Sequence, residues 1–503
     1  MYVWGLPRPV VHAHSAVTEH LPLKFYSICY PEKLANCRPV LQDWLRFIVA
    51  LVRINPARSL LVSVLLGFTL CIGFVSLRPY DPFAHSVETV VLEHAVSSLG
   101  AVCLDGSAPV YHMARGSNSR KWIVFHEGGD WCSQLMQVDD PTVQRDSWSC
   151  HARSKTGLGS SKKTSWFDFD AAAAKFTYLS RDPTLNPLMH DWNHVYLPYC
   201  DGASFSGARV NPAFVEGSNV YLRGRHVLQA IINSLVTSGL ERSTDVVIAG
   251  ASAGGLAVFL HADTWTEAVL AASAGIGRTD PPYIVALSDG GMFPELQVLE
   301  QPCKYVDRMK TTWMYHNLTN NTSPTVDRCV KTKHYANKPW KCMFASNLAP
   351  FVNTPIFVTA SAFDGWQIEY ELCHINSLRS IDEFGDRMRT EVVSVLAKQT
   401  NGAFIDACRH HTRCFSDIEI DGDTAATAFK KWYLKWIYQQ DSDPQRVWIQ
   451  KGKYLNMQLE CAKWNNPPTC QVGRMFGKKQ DNIVRHPSQV YRVEEGEADT
   501  ILT

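Results

Sequence analysis

The chain has 503 residues, of which 46% are hydrophobic and 19% are charged. This composition excludes a wholly disordered chain, and the length suits one large α/β domain with extensions or two domains. The formal net charge of +1 gives no reason to expect nucleic acid or another strongly charged partner.

An uncharged apolar run at residues 59–77 lies between Arg58 and Arg78. It matches the roughly 20 residues that a helix needs to cross a bilayer. Basic residues predominate before the run and acidic residues soon follow it, so the positive-inside rule predicts a cytosolic tail at 1–58 and a lumenal or extracellular remainder. We therefore expect a single-pass type II membrane protein. Burial of the run in a core and later cleavage of the anchor are the alternatives.

Beyond the apolar run, residues 79–97 are predicted to form a stalk, residues 98–475 the folded domain and residues 476–503 a polar tail. Twelve of the fifteen cysteines lie after the apolar run, which predicts a disulfide framework of undetermined pairing in an oxidising compartment. No C-x-x-C or paired cysteine and histidine spacing indicates a metal site, and no cofactor is expected. Overlapping sequons predict glycosylation at Asn317, Asn320 or Asn321.

The predicted elements alternate between strands and helices. A strand at 122–126 leads into a glycine-containing loop at 127–132, and a loop is predicted at 153–163. Further strands are predicted at 193–199, 244–251, 284–288 and 355–361, and helices at 224–239, 380–397 and 423–438. Residues 300–350 are interpreted as an inserted, disulfide-tied excursion. The alternation predicts an α/β fold, a mostly parallel sheet with helices on both faces.

The strand at 244–251 ends in a G-x-S-x-G sequence, Gly250 to Gly254, that passes directly into a helical pattern. A strand, a tight turn and a helix in this order are typical of a nucleophile elbow, in which Ser252 projects from a strained backbone. The backbone N–H of Ala253 would then face the negative charge that develops on an attacked carbonyl. Glycines in the 127–132 loop are the predicted source of the second such donor.

A serine nucleophile needs a base that is itself oriented by an acid. Asp364, just past a late strand, is favoured over Asp289, which ends the preceding strand. The late loop at 402–414 offers His410 and His411 as neighbouring candidates for the base, and only one of them can face the serine. His374 and His486 are less well placed, and His126 and His261 are expected to pack beside their motifs.

Several blocks of this sequence resemble those of the pectin acetylesterase and Notum family, in order from about residue 98 to 470. The matching blocks are His126 to Cys132 (HEGGDWC), Tyr199 to Phe205 (YCDGASF), Tyr221 to Gly224, the elbow with Leu256 to Asp263, Ser288 to Phe293 (SDGGMF), Asp364 to Ile368 (DGWQI), Gly402 to His411, and Asn466 to Cys470.

The resemblance implies an α/β-hydrolase-like fold with Ser252 as nucleophile, Asp364 as acid and His411 as base. It implies oxyanion donors at the backbone amides of Gly129 or Asp130 together with Ala253. Asp130 stands where the plant enzymes of the family have glycine, and its carboxylate would disfavour an oxyanion if it pointed inward.

The expected function is hydrolysis of an acyl ester, an acetyl ester on a polysaccharide being favoured. A Notum-like deacylase acting on a lipid-modified protein is the first alternative, and it requires a long apolar cavity. A catalytically inactive surface binding protein is the second alternative. The expected partners are therefore an acylated polysaccharide or protein, and a membrane through residues 59–77.

Overall fold

A computed structural model of the chain describes residues 87–133, 149–163, 167–295, 305–320, 323–372, 378–412, 415–438 and 446–451. All of these residues belong to one structural unit, Phe83–Thr503, whereas the unit Met1–Pro82 contains none of them. The predicted span at 59–77, the cytosolic tail and the C-terminal tail lie outside the described residues. No helix within the described ranges has the length and apolar character that crossing a bilayer requires.

Nine strands form one twisted sheet in the order β1-β2-β4-β3-β7-β8-β9-β10-β13. β1 and β2 pair antiparallel with their neighbours, whereas the seven strands from β4 to β13 are parallel. β5 with β6 and β11 with β12 form two small separate hairpins. The strands are β1 (Val87–Val91), β2 (Val110–Ala114), β3 (Asn118–His126), β4 (Trp192–Leu197), β5 (Ala213–Val215), β6 (Ser218–Val220), β7 (Asp245–Ala251), β8 (Tyr283–Asp289), β9 (Ile356–Ser361), β10 (Gly402–Asp406), β11 (Glu419–Ile420), β12 (Asp423–Thr424) and β13 (Val447–Ile449).

The connections between strands carry the helices. Those in the described ranges are α1 (Glu93–Leu99), α2 (Cys150–Ser154), α3 (Phe169–Lys175), α4 (Gly224–Thr237), α5 (Ala253–Gly275), α6 (Tyr305–Tyr315), α7 (Pro324–Val330), α8 (Ala345–Leu348), α9 (Gly365–Tyr370), α10 (Leu378–Leu396) and α11 (Ala425–Tyr438).

The central strands are buried on both faces. Along β7, Val246 and Ile248 belong to one apolar cluster, whereas Val247 and Ala249 belong to another. Helices α4, α5 and α10 contribute to the first cluster and α3 and α11 to the second. A strand covered on both sides is apolar at every position rather than at alternate ones, which explains the uninterrupted apolar run before the elbow. The prediction of a mostly parallel sheet with helices on both faces is confirmed.

Part of the predicted stalk at 79–97 belongs to the folded domain. Residues 87–91 form strand β1, which pairs antiparallel with β2 at the edge of the sheet, and residues 93–99 form helix α1. Most side chains of β1 are exposed, so its sequence lacks the apolar alternation that identifies a strand. The loop predicted at 153–163 also begins and ends in short helical turns.

Three disulfides stabilise the described part of the chain. They join Cys103 to Cys200, Cys132 to Cys150, and Cys329 to Cys342. The last bond lies within the predicted excursion at 300–350, whose described parts contain α6, α7 and α8. Disulfides therefore form part of the fold, as expected, in a pairing that the cysteine spacing alone did not determine.

Candidate active site

The turn between β7 and α5 places Ser252 at the carboxyl edge of the sheet. Ser252 has φ 57° and ψ −125°, a backbone conformation that side-chain-bearing residues rarely adopt. A Cβ atom at Gly254 would overlap the carbonyl oxygen of His126, and one at Gly250 would overlap that of Gly254. The close approach of strand, helix and loop therefore requires glycine on both sides of the serine.

Three of the predicted side chains meet at this turn. Nε2 of His411 lies 2.7 Å from Oγ of Ser252, and Nδ1 of His411 lies 2.9 and 2.8 Å from the two carboxylate oxygens of Asp364. Oδ1 of Asp364 also accepts the backbone N–H of Gln367 at 3.0 Å, which caps helix α9. These separations lie within the hydrogen-bond reach that a nucleophile, a base and an orienting acid need.

The parallel sheet explains why residues so distant in sequence converge. Ser252 directly follows β7, Asp364 follows β9, and His411 lies on the loop after β10. β7, β8, β9 and β10 are neighbours in the sheet, and the carboxyl ends of parallel strands lie at the same edge. Each side chain therefore enters the same space from its own strand.

Asp289, the alternative acid, ends β8 and has different partners. Its Oδ1 accepts a hydrogen bond from the hydroxyl of Thr359 at 3.0 Å, and its Oδ2 accepts one from the hydroxyl of Tyr178 at 3.3 Å. Its backbone carbonyl accepts the N–H of Ser252 at 2.8 Å. The structure thus brings Asp364, rather than Asp289, to the histidine.

His410, the neighbouring candidate base, contacts a different group. His410 turns away from its neighbour His411, and its Nε2 lies 2.8 Å from Oδ2 of Asp406 at the end of β10. The side chain of His410 is only 7% exposed, so this second histidine–carboxylate pair is internal. His374 and His486 lie outside the described residues.

His126 and His261 are packed inside the domain, as expected. Nδ1 of His126 donates to the carbonyl oxygen of Ala249 at 2.9 Å, and its Nε2 accepts a hydrogen bond from Trp265 at 3.0 Å. Burial lowers the pKa of His126 to about 4, so the ring is neutral near pH 7. Nε2 of His261 lies 2.8 Å from the hydroxyl of Ser206. His126 thus links the end of β3 to β7 and α5, and His261 links α5 to the segment that contains Ser206.

The loop after β3 lies directly against the serine. A Cβ atom at Gly128 would overlap the carbonyl oxygen of Ala251 and would lie 2.9 Å from Cβ of Ser252. Only glycine fits there, because any side chain would push the loop away from the elbow. The backbone of the following residues is thereby held beside the nucleophile.

The predicted oxyanion donors are backbone N–H groups with no other acceptor. Within the described ranges, the amides of Gly129, Asp130 and Ala253 donate to no protein group. The guanidinium of Arg153 donates to the carbonyl oxygen of Gly129. Since C=O and N–H of one trans peptide point in opposite directions, this contact directs the N–H of Asp130 away from Arg153.

The side chain of Asp130 is engaged beside the loop. Its Oδ1 accepts the backbone N–H of Trp131 at 2.6 Å and forms an ion pair with Nη2 of Arg308 on α6. Asp130 has φ 66°, a left-handed conformation that favours glycine. No local pattern indicated Arg308, which lies 178 positions from Asp130 in the predicted excursion.

The 199–205 block supports the same loop, a role that sequence reasoning did not assign to it. The hydroxyl of Tyr199 donates to the carbonyl oxygen of Asp130 at 2.8 Å. The indole N–H of Trp131 donates to the hydroxyl of Ser204 at 2.8 Å, and that hydroxyl donates to the carbonyl oxygen of Ala253 at 2.7 Å. These bonds connect the loop to the start of α5.

Aromatic rings surround the imidazole of His411. The indole of Trp366 stacks on it with ring centroids 5.7 Å apart, and the ring of Phe293 lies at 6.1 Å. Trp131 contacts both aromatic residues edge-to-face, at 5.9 Å from Trp366 and 4.8 Å from Phe293. We name Trp131, Phe293 and Trp366 the aromatic wall. Its members fall in motifs that the sequence analysis quoted, but their convergence was not predicted.

A fully buried carboxyl group lies behind Asp364. Burial and the negative charge of Asp364 raise the pKa of Glu371 well above its ordinary value, although the Tyr305 hydroxyl and the Arg308 guanidinium oppose the shift. Burial beside a second carboxylate therefore favours the neutral form of Glu371 over its charged form.

One group of potential metal ligands occurs in the described residues, formed by Cys132, Cys150 and His316. The two cysteines are joined in a disulfide, so neither offers the thiolate that binds a metal. Burial also lowers the pKa of His316 to about 3, and its Nε2 donates to the carbonyl oxygen of Cys132 at 2.9 Å. This cluster is a structural support beneath the loop.

The sequons lie just after α6. Asn317 has φ 55° and is half-buried, and its sequon threonine, Thr319, accepts a hydrogen bond from Trp313 at 3.0 Å. The side chain of Asn320 and all of Asn321 lie outside the described residues.

Comparison with known proteins gives a consistent family assignment. The pectinacetylesterase family model matches residues 82–471. Pectin acetylesterase 5 of Arabidopsis thaliana is 30% identical over 416 residues, covering 73% of this chain and 89% of the relative. Pectin acetylesterase 7 of the same plant is 29% identical, with 76% and 93% covered. Palmitoleoyl-protein carboxylesterase notum1a of Danio rerio is 26% identical, with 81% and 77% covered. The chain therefore belongs to the pectinacetylesterase family of carboxylic ester hydrolases.

Proposed function

We propose that this α/β-hydrolase-like protein removes acetyl groups from a polysaccharide, with Ser252, His411 and Asp364 as its catalytic residues. The observation that supports the mechanism most directly is the 2.7 Å separation between Oγ of Ser252 and Nε2 of His411. The polysaccharide substrate is suggested by the similarity to the plant pectin acetylesterases.

The first half of the reaction transfers the acetyl group to the enzyme. Nε2 of His411 takes the hydroxyl proton as Oγ of Ser252 attacks the carbonyl carbon. Asp364 stabilises the imidazolium that forms. The amides of Ala253 and of Gly129 or Asp130 bind the oxyanion, and collapse of the tetrahedral intermediate expels the sugar hydroxyl, which receives the proton from His411.

The second half releases the acetyl group. Water gives a proton to His411 and attacks the acetyl-serine, and acetate then leaves as Ser252 regains its proton. The steps balance without a redox change, and no cofactor takes part in them.

Deacylation of a lipid-modified protein is the second candidate, favoured by the similarity to notum1a and by the apolar surface beside His411. The third candidate is an inactive binding protein, which a carboxylate of Asp130 pointing into the oxyanion site would favour. The ion pair between Asp130 and Arg308 weakens that argument, because the carboxylate is held by a cation.

The test is an assay of the purified chain against acetylated polysaccharide and against short and long acyl esters. Ser252→Ala should abolish turnover of whichever ester the wild type cleaves. Ser273→Ala is the matched control, because Ser273 is a buried serine later on the same helix as the elbow. Unchanged activity in Ser252→Ala would remove the proposed nucleophile, and a wild type without turnover of any ester would favour the binding role.

We also propose that residues 59–77 anchor the catalytic domain on the lumenal or extracellular side of a membrane. The disulfides support this placement, since such bonds persist in oxidising compartments. Membranes carrying the full chain should retain it through alkaline carbonate washing and should protect residues after 78 from added protease. Release by carbonate would contradict the anchor.

A further inference from the structure

The aromatic wall is backed by a charged group. The guanidinium of Arg308 lies over the ring of Trp366, 5.8 Å from its centroid, and its Nη2 pairs with the carboxylate of Asp130. The side chain of Arg308 is 2% exposed and that of Asp130 is 21% exposed. The cation is therefore fully inside the protein, whereas its partner reaches the edge of the site.

Other polar groups lie around the same cation. Tyr305 is on α6, nearly one turn before Arg308, and its hydroxyl faces the carboxyl group of Glu371. Tyr305 and Glu371 are both fully buried, and Arg308 acts electrostatically on each of them. The region behind Trp366 is thus a cluster of buried polar groups. Each group loses its hydration on burial, and interactions with its neighbours offset that cost.

Asp130 holds this ion pair from a strained backbone conformation. A residue with a side chain is strained at φ 66°, a left-handed conformation that favours glycine. In exchange, the carboxylate binds both the backbone N–H of Trp131 and Arg308. One side chain thus connects the loop after β3, the aromatic wall and α6.

This arrangement limits the depth available to an acyl group bound at Ser252. A long hydrocarbon chain needs an extended apolar cavity beyond the first few carbon atoms. Extension past Trp366 would bring the chain against the buried ion pair, and opening a path would break that pair and leave a buried charge. An acetyl group needs no such path.

We infer that the ion pair between Asp130 and Arg308 closes the acyl side of the active site and restricts the enzyme to short acyl groups. This inference rests on the proposed ester hydrolysis. Asp130 and Arg308 are specificity residues in this scheme, acting through the space they occupy and not through the chemistry at Ser252.

The test compares p-nitrophenyl acetate, butyrate and octanoate as substrates of the purified full chain. Wild-type kcat/KM should fall at least about 100-fold from acetate to octanoate, because excess methylene groups have no apolar site. The double variant Asp130→Gly with Arg308→Met removes both charges and relieves the backbone strain. Its preference for acetate over octanoate should fall at least about tenfold, mainly through faster cleavage of octanoate.

Arg328→Met is the matched control. Arg328 also forms an ion pair with an aspartate, the buried Asp263 on α5, away from Ser252. Its loss should lower the thermal midpoint and leave the acetate-to-octanoate ratio unchanged. Circular dichroism establishes that each variant is folded.

Three results would overturn the inference. The first is an unchanged ratio in the folded double variant. The second is a wild type that cleaves octanoate as fast as acetate, a result that would leave ester hydrolysis intact and that needs no variant. The third, absence of turnover with every ester, would overturn the proposed function as well.

Discussion

His410 and His411 are adjacent in the chain, and each has a ring nitrogen 2.8 Å from a buried carboxylate oxygen, yet only His411 reaches a serine. His410 pairs with Asp406 on its own strand end, whereas His411 pairs with Asp364 from the neighbouring strand. A histidine–carboxylate pair is therefore no indication of catalysis by itself. The two pairs differ because only His411 lies next to a nucleophile, which the neighbouring strands bring within reach.

The surroundings of the two pairs differ in the same way. The side chain of His411 is 21% exposed and stacks on Trp366, so one face is open to a substrate. His410 is 7% exposed, and its backbone carbonyl accepts the N–H of Gly365, the residue after Asp364. The internal pair thus fastens the loop that presents the other one.

Replacing each histidine by alanine is the strongest test of this contrast. His411→Ala removes the base and should lower kcat by about five orders of magnitude, as loss of a triad histidine does elsewhere. His410→Ala should cost less than about 100-fold, through displacement of the loop alone. Both are measured by ester hydrolysis at saturating substrate, after folding has been checked. A larger loss in His410→Ala would reverse the assignment of the base.

The carboxylates allow a second comparison with a smaller expected effect. Asp364→Asn keeps the shape of the side chain but favours the wrong imidazole tautomer, so kcat should fall about 10⁴-fold. Asp406→Asn is the matched change in the internal pair and should mainly destabilise the loop, with a rate loss under about 100-fold. Equal losses in kcat would mean that the two pairs contribute to one function.

Each histidine–carboxylate pair has a further carboxyl group beside it, Glu371 next to Asp364 and Asp417 near His410. Replacing Glu371 gives the smallest predicted effect, a change in how stability depends on pH. The raised pKa of Glu371 means that the folded state retains a proton that the unfolded state loses above about pH 4.5. The free energy of unfolding should therefore fall as pH rises from 4.5 towards the folded-state pKa. Glu371→Gln cannot lose that proton and should flatten the decline.

The measurement is urea unfolding followed by tryptophan fluorescence between pH 5 and 9. Asp417→Asn is the control, because the half-buried Asp417 near His410 also has a pKa raised by burial, with His410 opposing the shift. Its effect on the slope should be weaker, since Asp417 is less completely buried than Glu371. An identical pH slope in the wild type and Glu371→Gln would contradict the assigned protonation.

The parts of the molecule that sequence predicted best are those with strong local patterns. Strand β7 is apolar from Val246 to Ala249 because both of its faces are covered, and Gly250 is required by the backbone oxygen of Gly254, four residues later in the same turn. Motif blocks indicated Asp364 and His411, and the structure brings His411 to the serine and Asp364 to His411.

The parts that sequence did not predict depend on contacts without a local pattern. Strand β1 is an edge strand with mostly exposed side chains, so it resembled a stalk. The pairing of Asp130 with Arg308 joins positions 178 residues apart and leaves no periodicity to detect. The aromatic wall likewise assembles from two loops and helix α9, which follow three different strands and whose proximity follows only from the sheet order.

The Cys132–Cys150 disulfide has a practical consequence for anyone producing this enzyme. It joins the end of the loop after β3 to α2, the helix whose Arg153 donates to the carbonyl oxygen of Gly129. A chain made in a reducing bacterial cytoplasm would contain every reactive side chain but would lack this fastening. We expect such material to be soluble but to have a low kcat, and we expect kcat to rise upon oxidative refolding with glutathione.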